Sequence, residues 1–87
     1  MMDVGEVIFY PLMTESASLM VEKDNKLIFV VNMAAGKGDV KKAVEELYDV
    51  KVEKVTVLVT PHGAKKAFVK LKPEFRASDV AIKLVIL

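Results

Sequence analysis

The 87-residue chain has no cysteine, a single histidine, four glycines and three prolines. Without cysteine there is neither a disulfide framework nor a thiolate zinc site, and one histidine is a poor start for any transition-metal centre. Long apolar runs are missing as well. The longest interior one is Leu27–Val31, far short of the roughly eighteen residues that a membrane-spanning helix needs. Asp3 and Glu6 precede Val7–Met13, where a secretory signal would carry Lys or Arg ahead of a longer apolar stretch, so a cytosolic protein is expected. Stretches rich in Ser, Gly or Pro and internal repeats are also absent, and residues 1–87 are expected to form one uninterrupted domain. A chain of this length should have a radius of gyration of roughly 12 Å, which leaves no room for a second core or a large enclosed cleft.

What the chain does have is a 53% apolar composition, enough to bury a core rather than stay disordered. Val7–Tyr10 reads as a brief strand or entry segment stopped by Pro11. Thr14 is placed to cap a helix with Glu15 in its first turn and Ala17, Met20 and Val21 on one face, ending at Asp24-Asn25. In the next extended segment Leu27, Phe29, Val31 and Met33 point one way and Ile28 and Val30 the other, so that strand belongs inside a sheet. After a Gly36-Lys37-Gly38 turn, Val40, Ala43, Val44, Leu47 and Tyr48 recur at helical spacing. Val50–Thr60 is rich in β-branched residues, with Val55, Val57 and Val59 on one face and Val52 and Leu58 on the other. Across a Pro61–Ala64 turn, Ala67, Val69 and Leu71 should face inward while Lys66, Phe68, Lys70 and Lys72 face the opposite side. Ser78 and Asp79 open a last helix through Val80, Ala81 and Leu84. This order implies an α+β fold of the split βαβ, ferredoxin-like-related kind: a four-stranded antiparallel or mixed sheet with helices on both faces, in three α/β/α layers.

Catalytic chemistry finds little to work with. His62 lies in a tight turn with no Ser or Asp at a triad spacing, and reads as a surface turn residue. Glu45, Glu46 and Asp49 fall on the outer side of their helix, where Lys41–Glu45 and Lys42–Glu46 form i,i+4 pairs, so a solvated charged face is expected rather than a metal site. Gly36-Lys37-Gly38 before a helix has the look of a phosphate loop, but no Ser or Thr follows the lysine and Asp39 would repel an anion. Met13, Met20 and Met33 occupy positions read as inward-facing core filler. No catalytic residue, metal or cofactor is expected.

Charge is unevenly spread. Residues 1–35 hold two lysines against five acids, a balance of −3, while residues 36–87 hold ten lysines and one arginine against seven acids, a balance of +4. Thr60–Lys72 contains Lys65, Lys66, Lys70 and Lys72, Phe68 and no acid. Such a ribbon can meet a phosphate backbone while its ring packs on a base or a sugar. In the contrary reading Phe68 is covered by the last helix and the lysines only solubilise a strand.

Pro11-Leu12-Met13-Thr14-Glu15, Ala35-Gly36-Lys37 through Lys41-Lys42-Ala43-Val44-Glu45, Val50–Val55, and above all Thr60-Pro61-His62-Gly63-Ala64-Lys65-Lys66-Ala67-Phe68-Val69-Lys70-Leu71 resemble a known family. It is the large-subunit ribosomal protein conventionally numbered twenty-three, in its archaeal and eukaryotic-type form. The likeness runs over nearly the whole chain and takes in Asp79–Leu84. Ser16 stands where the family commonly has Lys, Gly36 where it has Asn, Thr56-Val57 where it has Asn-Thr, and Val85 where it has Gly. The resemblance implies a three-layer α/β/α domain without enzymatic activity that binds large-subunit rRNA near the polypeptide exit tunnel. It also implies neighbouring ribosomal proteins as partners and a docking platform for nascent-chain factors such as the signal recognition particle. The short Pro61–Ala64 turn looks like the archaeal type, which lacks the long tunnel-reaching loop of bacterial members. Lys37, Lys41, Lys65, Lys66, Phe68, Lys70 and Lys72 are the expected RNA-binding residues. The alternative from another class is a small ferredoxin-like module that binds a ligand or dimerises without RNA, suggested by the low net charge and the apolar ending Val85–Leu87.

Overall fold

The structure, a computed structural model, describes residues 3–86, with side chains described as far as Leu84. The order is α1 (Val4–Val7), β1 (Ile8–Pro11), α2 (Glu15–Asp24), β2 (Lys26–Val31), α3 (Lys37–Tyr48), β3 (Val52–Val59), β4 (Lys65–Leu71) and α4 (Ala77–Ile86). The strands form one sheet in the order β1-β2-β4-β3, and every neighbouring pair is antiparallel. Strands β2 and β3 therefore run parallel with β4 between them and α3 as their crossover, which is the split βαβ unit expected from the sequence. The α+β class is likewise the one expected. The radius of gyration is 11.8 Å.

Helix α1 was not anticipated. Glu6 N–H donates to the Asp3 carbonyl at 2.8 Å, closing a turn that delays the first strand to Ile8. Pro11 is the last residue of β1 rather than the residue that stops it, and an edge strand tolerates the lost N–H. Thr14 caps α2 as expected, its Oγ1 accepting from Ala17 N–H at 3.2 Å. Asn25 ends that helix at φ 55 in the left-handed region, where Asn is among the few residues that settle without glycine.

Leu27 through Val31 are all buried, so β2 is covered on both faces, as a layered sheet requires of its inner strands. Leu27, Phe29 and Val31 share a core with Ala67, Val69 and Leu71 of β4 and with Val40, Ala43 and Val44 of α3. The Phe29 and Tyr48 rings stack at 5.9 Å between centroids, fixing α3 over that face. Ala77 and Val80 of α4 and the partly buried Val21 of α2 join the same core.

Three inward assignments fail. Met13 and Met33 are about half exposed, and so is Leu47: Met33 lies beyond the end of β2 at Val31, and the α3 residues that pack on the core are Val40, Ala43, Val44 and Tyr48. Val52 is buried with Val55 instead of opposing it. A register irregularity between Val52 and Lys54 brings Val52 opposite Leu71 and Val55 opposite Val69; the extra residue of such a bulge turns the following side chains back to the same face.

Candidate nucleic-acid interface

Strand β4 alternates as its sequence demands. Ala67, Val69 and Leu71 are buried, and Lys66, Phe68 and Lys70 are half-buried on the other face. The cross-strand pairs extend that face over three strands. Lys26 of β2 is opposite Lys70, and Lys70 is opposite Lys54 of β3. The next row is Ile28, Phe68 and Thr56; the one after is Val30, Lys66 and Leu58, with Tyr10 of β1 beside Val30. Thr56, Leu58, Lys54 and Tyr10 are exposed, so the face is open toward β3 and at the β1 edge. Phe68 is neither buried nor fully free.

The hairpin segment carries no acid of its own, but β3 brings one. Glu53 Oε2 lies 3.6 Å from Lys70 Nζ, with both side chains nearly half exposed, and an ion pair so wetted stabilises little. Lys65 belongs to the opposite face, paired with Val31 and Val59. Its ammonium donates to the Ala35 carbonyl at 2.5 Å and the Met33 carbonyl at 3.5 Å. It thus fastens the segment between β2 and α3.

Lys37 and Lys41 are exposed one turn apart on α3, on the face that Tyr48 and Phe29 close. The seven expected RNA-binding residues are therefore not one cluster. Lys66, Phe68 and Lys70 share the open sheet face, Lys37 and Lys41 lie on the helix across the sheet, Lys65 is engaged with backbone, and Lys72 is exposed just beyond β4. Lys26 and Lys54 were missed. Each precedes an inward-facing apolar residue, Leu27 or Val55, but only the register places them beside Lys70.

The remaining sequence candidates have structural tasks. The Asp39 carboxylate accepts from Gly36 N–H at 3.0 Å, filling the start of α3 that a phosphate would need. Glu45 is half-buried and its Oε2 accepts from Val52 N–H at 3.0 Å, so it joins α3 to β3 instead of lining a solvated face. His62 is exposed in the turn. Thr60 organises that turn: its N–H donates to the Ala64 carbonyl at 2.7 Å and its Oγ1 accepts from Ala64 N–H at 3.1 Å. Gly63 supplies the positive φ of 82. Between α2 and α4 runs an apolar groove of about 290 Å³, lined by Leu12, Met13, Ala17, Val21, Ala81 and Ile82 among others. Among the described residues no helix is long and apolar enough to cross a membrane.

Residues 6–80 match the family model for ribosomal protein L23. The large ribosomal subunit protein uL23 of Dictyostelium discoideum is 51% identical over 83 residues, covering 95% of this chain and 49% of that protein; the chain thus spans about half the length of that relative. The protein of the same name from Methanococcus aeolicus is 46% identical over 83 residues, covering 95% of this chain and 96% of its own length. With the split βαβ sheet, the lysine-bearing hairpin and these matches together, the chain belongs to the ribosomal protein L23 family.

Proposed function

We propose that the chain is a non-catalytic, structural constituent of the large ribosomal subunit that binds large-subunit rRNA near the polypeptide exit tunnel. Neighbouring large-subunit proteins are its other partners, the ribosome in the cytoplasm is its place, and its rim position helps form a docking site for nascent-chain factors such as the signal recognition particle. The observation that carries the RNA reading is the open sheet face of β4, where Lys66 and Lys70 flank Phe68 in a chain whose relatives are named as large-subunit proteins. The hairpin closes through the short Thr60–Ala64 connection, which favours strand faces over a long loop as the RNA-contacting surface. Lys37, Lys41 and Lys72 add exposed cations at the periphery. Exposed Phe9, Leu19, Met33 and Ile82 supply apolar surface of the kind that protein neighbours cover.

Two measurements test this. The protein should sediment with large ribosomal particles in a high-salt gradient. The Lys66→Ala/Lys70→Ala variant should bind a large-subunit rRNA fragment with a log–log salt slope shallower by roughly 1.4 to 1.8 than the parent, at about 0.7 to 0.9 per lost phosphate contact. An unchanged slope removes the hairpin face from the interface. A tight dimer in light scattering, with no RNA affinity, counts for a dimerisation module instead; the side chains of Val85–Leu87, which suggested that alternative, lie outside the described residues.

A further inference from the structure

Three lysines distant in sequence, Lys26, Lys54 and Lys70, are cross-strand neighbours on β2, β3 and β4. Adjacent strands are about 4.8 Å apart, so the row spans about 10 Å of sheet surface. Like charges directly opposite one another in a sheet are destabilising, and Glu53, at 3.6 Å from Lys70, is the one acid among the strand residues of that face. The row therefore carries a local excess of two positive charges in a molecule whose net charge is only +1. Beside it Phe68 and the exposed Thr56 form the next row, with Lys66 and the exposed Leu58 beyond.

We infer that Lys26, Lys70 and Lys54 form a seat for consecutive phosphates of one RNA strand, laid across the open face of the sheet toward β3. This rests on the rRNA-binding reading and names the part of the surface that does the binding. A lysine is a flexible point charge without the planar fork that reads a base edge. The seat accordingly holds backbone and takes RNA of any sequence, and Phe68 supports it by packing against sugar or base from the neighbouring row. The row favours a polyanion because, among the strand residues, three ammonium groups face one carboxylate.

The experiment compares Lys26→Gln/Lys54→Gln with Lys23→Gln/Lys83→Gln, which removes the same net charge from exposed positions on α2 and α4. Both are titrated with a large-subunit rRNA fragment and with an oligouridine across a salt series, and both are melted without RNA. The expected result is a slope shallower by roughly 1.4 to 1.8 for the row variant on either RNA, a parent-like slope for the control, and a melting temperature of the row variant equal to or above the parent's. A parent-like slope for the row variant, or the same loss in both variants, overturns the seat while leaving the rRNA reading standing. A parent protein that binds neither RNA overturns both.

Discussion

Asn25 does more for this fold than any other polar side chain described. It stops α2 in the left-handed conformation, its Nδ2 donates to the carbonyls of Leu71 at 3.2 Å and Phe75 at 2.9 Å, and its Oδ1 accepts from Ala77 N–H at 2.6 Å. One residue thus ties the α2–β2 junction to the end of β4 and caps α4 from fifty residues away. Asn25→Ala loses both the tolerated backbone and the bonds, and should lower the unfolding free energy by about 2–4 kcal/mol in urea titrations. Asn25→Gly keeps the backbone freedom, so its smaller loss isolates the side-chain bonds. Tyr48 is the second residue with a measurable signature. Burial against Phe29 raises its phenol pKa above the ordinary 10. The unfolded chain then ionises first as pH rises, so this stabilisation is complete below pH 10 and is lost as pH climbs through the folded-state value. Tyr48→Phe should flatten the alkaline fall in stability that the parent shows in melts above pH 10.

At the scale of the element, β4 divides its lysines between two jobs by the simple period of a strand. Lys66 and Lys70 look outward, whereas Lys65 is turned to the α3 side, where its ammonium holds the Ala35 and Met33 carbonyls. Lys65→Met should therefore cost about 1.5–3 kcal/mol of stability, the range for a charged hydrogen bond, and leave the rRNA salt slope as it was. Lys66→Ala should do the reverse, and an equal effect of both on the slope would show that Lys65 also reaches RNA. Adjacent positions with opposite fates were half legible in the sequence. The alternation of Ala67, Val69 and Leu71 with Lys66, Phe68 and Lys70 is written in their polarity, as are the cap at Thr14 and the buried run of β2. The register is not, because it depends on the irregularity between Val52 and Lys54. That local extra residue put Val52 on the core face and aligned Lys54 with Lys70 and Lys26. Glu45 was misread for a related reason: its bond to Val52 N–H crosses from helix to strand, and helical spacing records only neighbours on the helix.

For the molecule as a whole, size and charge set what binding can do. A chain of 87 residues buries only about 60% of its unfolded surface, so its stability is marginal. A partner that binds only the folded form should add visibly to it. With an rRNA fragment at about 100 times its Kd, the gain is about 2.7 kcal/mol, and at about 4–8 °C per kcal/mol for a domain this small the melting temperature should rise by roughly 10–20 °C. The acids of residues 1–35 and the lysines of residues 36–87 nearly cancel, to +1 overall. Long-range attraction is correspondingly weak, so rRNA binding of the kind proposed should rest on local contacts that salt competes away. The rise should consequently shrink as salt is added, and at one fixed RNA concentration Lys26→Gln/Lys54→Gln should show less of it than the parent. Thermal melts monitored by circular dichroism, with and without the fragment over a salt series, check this. A stabilisation that persists undiminished at high salt would mean that RNA is held by something other than the ammonium groups of the sheet.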